Sequence, residues 1–203
     1  MKYLSSQILT MTLFSLGPVA LAQAETLPKY DPNLLIYVKT PDCKDVAVRG
    51  PEISYDDVGQ SYYEWKVVSS APSPDGKFSA IHYLGRRPKY WDAHVYLVSP
   101  DGFVSELSNS TVRSVQWTED SKYLLGFGDN TLRVWNMSGG RRQMSLGQVD
   151  RYYYSDGLLC INHQSYHIDS EGRQAADPVE VYSIPSLKKL ISAPYSAVMD
   201  CNK

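Results

Sequence analysis

The chain lacks most of the short signatures that announce chemistry. It has no C-x-x-C spacing, which argues against a redox or zinc motif. No G-x-S-x-G stretch supplies an activated serine. Triads assemble in space, so this lack weakens the case for an enzyme without excluding one. The D-x-[DN]-x-[DN]-G loop of calcium sites is missing as well. Beyond residue 24 no apolar run reaches the roughly 18 residues that a membrane span needs. There is no excess of positive charge either: 20 Lys and Arg stand against 22 Asp and Glu, for a formal net charge of −2. Nucleic acid and anionic membranes are therefore not the expected partners. No catalytic residue, metal or cofactor is expected from the motifs.

What is present begins with a start signal. Lys2, the apolar run Ile8 to Leu16 and the small-x-small triplet Ala22-Gln23-Ala24 read as a secretory signal peptide over residues 1–24, cleaved after Ala24. A membrane anchor fits less well, because the run is short and Gly17-Pro18 interrupts it. Residues 25–203 then form one exported domain, periplasmic or secreted, long enough to bury a sizeable core. Sixteen tyrosines suit half-buried strands and wet binding surfaces.

The organising stretch is Val112 to Leu146. Val115 and Trp117 lead into the turn TEDS, and Tyr123 to Phe127 form a short apolar run. GDNT breaks the chain before Leu132, Val134 and Trp135. After the turn SGG, Met144 and Leu146 close the unit. Four strands in about 35 residues predict one blade of a β-propeller. The pattern recurs. Ile36-Tyr37, Val95-Tyr96, Val134-Trp135 and Val181-Tyr182 each precede a turn, in TPDCK, SPDG, MSGG and IPSL. Between them lie inner hairpins: Tyr63 to Ser70 with Phe78 to Leu84, Val112 to Trp117 with Tyr123 to Phe127, and Val149 to Tyr154 with Leu158 to Asn162. Their apolar runs are nearly continuous, as expected for strands covered on both faces.

SAPSPDGKFSAIHYL, followed by WDAHVYLVSPDG, resembles the repeats of TolB-like periplasmic propellers. Asp129 to Asn136, DNTLRVWN, is similar to the third strand of a WD repeat. The resemblance covers about residues 63 to 192 and implies architecture rather than activity. No Gly-His pair precedes the blades, and only Asp129 and Trp135 match the WD hydrogen-bond network, which is therefore expected to be incomplete.

Fourteen strands make three and a half blades of an all-β, small propeller of about 3.5–4 blades. The tail Ser196 to Cys201 is long enough for one more strand, which would join the N-terminal hairpin in a closing blade made from both chain ends. The rival is an open arc completed by a second copy, so a monomer is favoured and a dimer is the alternative. By the same strand directions, Cys43 and Cys201 reach the tight-turn face together and are predicted to form a disulfide. Cys160, inside LLCIN, reads as a buried thiol.

His163 and His167, with Asp169 nearby, have the best metal spacing, but four residues along a strand is about 13 Å, too far for one ion. They and the histidines His82 and His94 read as exposed or half-buried polar groups. The acids Asp56, Asp57, Glu119, Asp120, Asp169 and Glu171 read as solvated turn carboxylates. More informative are three long loops, Gly50 to Tyr62, Gly85 to Asp92 and His163 to Pro178, which map to one face. They bring together Tyr55, Tyr62, Arg86, Arg87, Tyr90, Trp91, Asp92 and Arg173. Tyr, Trp and Arg dominate interface hot spots. The reading is a propeller module that docks another protein through this face, as an inhibitor, an immunity-type protein or an envelope-complex subunit. The alternative is a small-ligand binder or hydrolase using the central channel.

Overall fold

The computed structural model describes residues 27–108, 111–147, 149–163, 166–168, 171–172, 174–176 and 179–193. Residues 1–24, expected to be a signal peptide, the segment from Ser196 expected to form a further strand, Cys201 and Arg173 lie outside them. Among the described residues the fold is all-β, with one 3-10 turn at Pro32–Leu34 and no α-helix.

Strands β1 (Ile36–Lys39) and β2 (Asp45–Val48) pair as a hairpin. The first complete blade follows in the order β3 (Glu64–Pro72), β4 (Ser79–Arg87), β5 (Tyr90–Val98), β6 (Val104–Ser108). The second contains β7 (Ser114–Trp117), β8 (Tyr123–Phe127), β9 (Thr131–Asn136) and β10 (Arg141–Ser145). The third pairs β11 (Val149–Ser155), β12 (Leu158–His163), β15 (Val179–Ser183) and β16 (Lys188–Ala193). A small hairpin of β13 (Tyr166–Ile168) and β14 (Gln174–Ala176) is inserted within it. Every pairing is antiparallel. The described residues thus hold three blades and a half blade, a small β-propeller arrangement of about four.

Apolar clusters fill the gaps between successive units. Leu34, Val38 and Val48 pack on Ile81, Tyr83 and Val98 between the half blade and the first blade. Ala80, Ala93, Val95 and Leu97 meet Val112, Trp117, Leu124 and Trp135 between the first and second. Leu125, Phe127, Leu132 and Val134 meet Tyr154, Leu159, Ile161 and Tyr182 between the second and third. Both faces of the inner strands are therefore covered, which explains their unbroken apolar runs. Trp135 is only 4% exposed, and Gly126 makes room for it: a Cβ there would lie 2.5 Å from the indole ring.

One turn chemistry is used repeatedly. Ser73 Oγ donates to Asp75 Oδ1 (2.7 Å), Lys77 N–H donates to the same oxygen (3.1 Å), and Ser73 N–H closes the hairpin on Phe78 O (2.9 Å). Thr118, Asp120, Lys122 and Tyr123 repeat this at the second blade. The hydroxyl bonds hold the Asp75 and Asp120 carboxyls below the usual range. The fourth turn position always has positive φ: Gly76 (70°), Gly102 (86°), Ser121 (59°) and Cys43 (60°). The turns also touch across blades, with Asp75 N–H donating to Ser121 Oγ at 2.9 Å and Asp156 N–H to Glu119 Oε1 at 3.3 Å.

Three expectations need correction. Cys43 is a free, exposed thiol, so the Cys43–Cys201 latch is not formed. Cys43 takes the place of the glycine at a left-handed turn tip, where its side chain meets solvent. Cys160 is half-buried in β12 rather than fully buried. In non-reducing peptide mapping, the Cys43 peptide should be alkylated in the native protein. A native Cys43 blocked to alkylation would contradict this assignment. Finally, two of the long loops contain strands. Gly85 to Asp92 is the paired end of β4 and β5, turning at Pro88-Lys89 with Arg87 opposite Tyr90 and Arg86 opposite Trp91, and His163 to Pro178 carries β13–β14.

Candidate functional site

The β4–β5 hairpin tip, the 49–63 segment and the connection into β7 meet at one end of the blades. Because the tip is a paired strand, its residues alternate between two faces. Arg87 and Tyr90 share one face; Arg86 and Trp91 share the other.

On the first face Arg87 is the hub. Its guanidinium carbon lies 4.5 Å from the Tyr90 ring centroid, 4.6 Å from Tyr62 and 5.4 Å from Tyr63. These are cation–π distances. Its Nε is buried with no protein hydrogen-bond partner among the described residues, so the rings rather than polar groups fix the side chain. Tyr90 and Tyr62 remain 59% and 45% exposed. Tyr63, absent from the sequence-based set, completes the cage; it also packs on Trp65, with centroids 5.4 Å apart.

Below this hub the same face opens into a cavity of about 490 Å³. Trp65, Tyr96 and Asp92 line it with Arg49, His94 and Glu106. Asp92 Oδ1 accepts from Ala93 N–H at 2.8 Å, so this carboxylate caps local backbone. His94 Nδ1 is hydrogen-bonded to Glu106 and its ring stacks near Tyr96. Burial pushes the Tyr96 phenol up to about 12, with the Glu106 charge adding to it.

On the second face a cleft of about 590 Å³ is lined by Lys66, Arg86, Lys89, Arg113, Trp91 and Val68, with Arg87 and Tyr90 reaching it at the tip where the two faces meet. Arg113 sits 4.9 Å from the Trp91 ring and is ion-paired with Asp129. Trp91 is half-buried and packs against the cluster between the first two blades. It is partly core, unlike exposed Tyr90. Asp129 thus serves an ion pair, and the indole Nε1–H of Trp135 has no hydrogen-bond partner among the described residues, so the WD-type network is not assembled there.

The remaining candidates stay apart. Tyr55 O–H donates to Pro28 O at 2.6 Å, and Asp56 caps its own turn. His82, expected to be exposed or half-buried, is fully buried, its Nε2–H donating to Val112 O at 2.8 Å; burial lowers the pKa of the imidazole. His163 contacts Glu180 at 3.1 Å. Burial pushes the Glu180 carboxyl up, but hydrogen bonds from Lys189, Tyr182 and His163 outweigh it and hold it low. No group of three or more His, Cys, Asp or Glu among the described residues could hold a metal.

No protein-family model matches the chain, and no curated protein is similar to it in sequence. Solved structures do resemble it. The β-propeller domain of the Trilobed protease from Pyrococcus furiosus is 13% identical, with a TM-score of 0.47 over 78% of this chain and 53% of that one. A structure assigned to TolB from Agrobacterium tumefaciens is 17% identical, with a TM-score of 0.35 over 79% and 62%. A eukaryotic initiation factor structure is 12% identical, with a TM-score of 0.48 over 79% and 42%. The chain spans between 42% and 62% of their lengths. With all three scores below 0.5, the propeller assignment rests on this chain's own sheets.

Proposed function

We infer that the chain is an exported protein-binding propeller module that docks its partner through the end carrying the β4–β5 tip. The observation that carries this reading is the Arg87 hub: one guanidinium fixed against three tyrosine rings, two of them largely exposed. A pre-ordered cluster of Arg and Tyr loses little side-chain entropy on binding, which is what interface hot spots require. The start pattern Ile8 to Leu16 with Ala22-Gln23-Ala24 supports export to the periplasm or beyond. A small, slightly acidic, motif-poor domain fits an inhibitor or immunity-type role, or a place in an envelope complex, and it is read as acting as a monomer.

The test is capture of a partner by the purified chain from an envelope extract, followed by affinity measurement. Tyr62→Ala/Tyr90→Ala should weaken binding at least about thirtyfold and leave the melting temperature nearly unchanged. Undiminished affinity would refute docking at this end.

A second reading, a small-ligand site, is favoured by the cavity that gathers Trp65, Tyr96, Asp92, His94 and Glu106. Aromatic planes beside carboxylates suit a cationic or hydroxylated ligand.

A further inference from the structure

The cleft on the second face of the β4–β5 tip concentrates positive charge in a chain whose net charge is −2. Its cations come from four places: Lys66 from β3, Arg86 from β4, Lys89 from the turn and Arg113 from the connection into β7. Arg87 lines it too, and no carboxylate does. Two acids border it. Asp129 is already engaged by Arg113, and Glu64 stands opposite Arg86 in the β3–β4 register. Among the described residues no carboxylate lies within ion-pair distance of Lys66, Arg86 or Lys89. Like charges held this close repel one another unless an anion answers them.

We propose that this cleft receives an acidic, Asp/Glu-rich segment of the partner protein, a proposal that rests on the docking reading above. Three features favour an extended segment over a single small anion. The cations come from separate elements around a cleft of about 590 Å³, far more room than one phosphate fills. They are long side chains rather than a ring of backbone N–H groups, the usual cradle for a compact anion. Apolar surface is interleaved with the charge: Val68 is 45% exposed and Tyr90 59%, with part of the Trp91 ring facing the same cleft. These offer contacts for side chains between the acids. Arg113 is held against Trp91 beforehand, so the cleft is partly ordered before anything binds.

The experiment titrates the purified chain with a dye-labelled hexaglutamate peptide, read by anisotropy, with hexalysine as control. Saturable one-to-one binding is expected, weakening as salt rises. The triple variant Lys66→Gln/Arg86→Gln/Arg113→Gln should lose about tenfold or more in affinity. Should the triple variant not fold, Lys66→Gln/Arg86→Gln is measured instead, with a smaller loss in the same direction. Tyr62→Ala/Tyr63→Ala, whose rings do not line the cleft, leaves the cations in place and serves as the contrast. If charge variants leave captured-partner affinity intact while the tyrosine variant abolishes it, docking stands and the acidic segment falls. If neither matters, docking itself fails. No binding at millimolar hexaglutamate, equal binding by the triple variant, or full displacement by inorganic phosphate at matched charge would each overturn the proposal.

Discussion

Trp135→Ala is expected to destabilise the protein by about 3–5 kcal/mol, measured by denaturant unfolding. The residue is 4% exposed and sits among Ala80, Val95, Leu97 and Leu124, so truncation opens a cavity between two blades rather than at a surface. Trp135→Phe should cost much less. It keeps most of the apolar volume and removes an indole N–H that has no partner. Gly126 offers an independent check. A Cβ at that position would meet the ring at 2.5 Å, so Gly126→Ala should cost about 1–3 kcal/mol through overpacking. That cost should largely vanish in the Trp135→Ala background. Additive effects would show that the two residues do not share a contact.

The second large effect is expected at Tyr83, which is fully buried between the half blade and the first blade. Its O–H donates to Leu34 O at 2.9 Å, tying the N-terminal segment to β4 across 49 residues of chain. Tyr83→Ala should cost about 3–5 kcal/mol. Tyr83→Phe, which leaves a buried carbonyl short of a donor, should cost about 1–3 kcal/mol. Burial also pushes the Tyr83 phenol well above its ordinary value of 10.0. The unfolded phenol ionises near that value and the folded one only at higher pH. Stability is therefore intact below pH 10 and falls as pH rises above it. Tyr83→Phe should show a shallower loss over that range; an unchanged alkaline slope would mean that Tyr83 is not the buried link described.

Much of the fold was legible because the blades repeat one grammar. Tyr123–Phe127 matches the expected strand residue for residue, since polar turns with positive-φ positions bracket short apolar runs. Trp135 was readable as core because it ends such a run. The GRRPKYWD hairpin was not legible. Its strand residues are charged or aromatic, and Pro88-Lys89 lacks the Gly or Asn that marks a tight turn. Without that pairing, Arg86, Arg87, Tyr90 and Trp91 read as one cluster, whereas strand parity sends them to two faces. Tyr63, Lys66 and Arg113 were missed for the same reason, as their roles depend on which face the tip presents. Cys43 misled because spacing and strand direction placed it near a partner. The signal that could have corrected this was local: in T-P-D-C, cysteine fills the glycine position of S-P-D-G.

The measurement that tests the account most directly is amide hydrogen exchange of the chain with its captured partner bound. Protection is expected at residues 55–63, 84–92 and 111–113, the segments that meet at the β4–β5 tip. The tight turns at 73–77, 99–102 and 118–122 should exchange as in the free chain. Protection confined to those turns would place the partner at the opposite end and contradict the account.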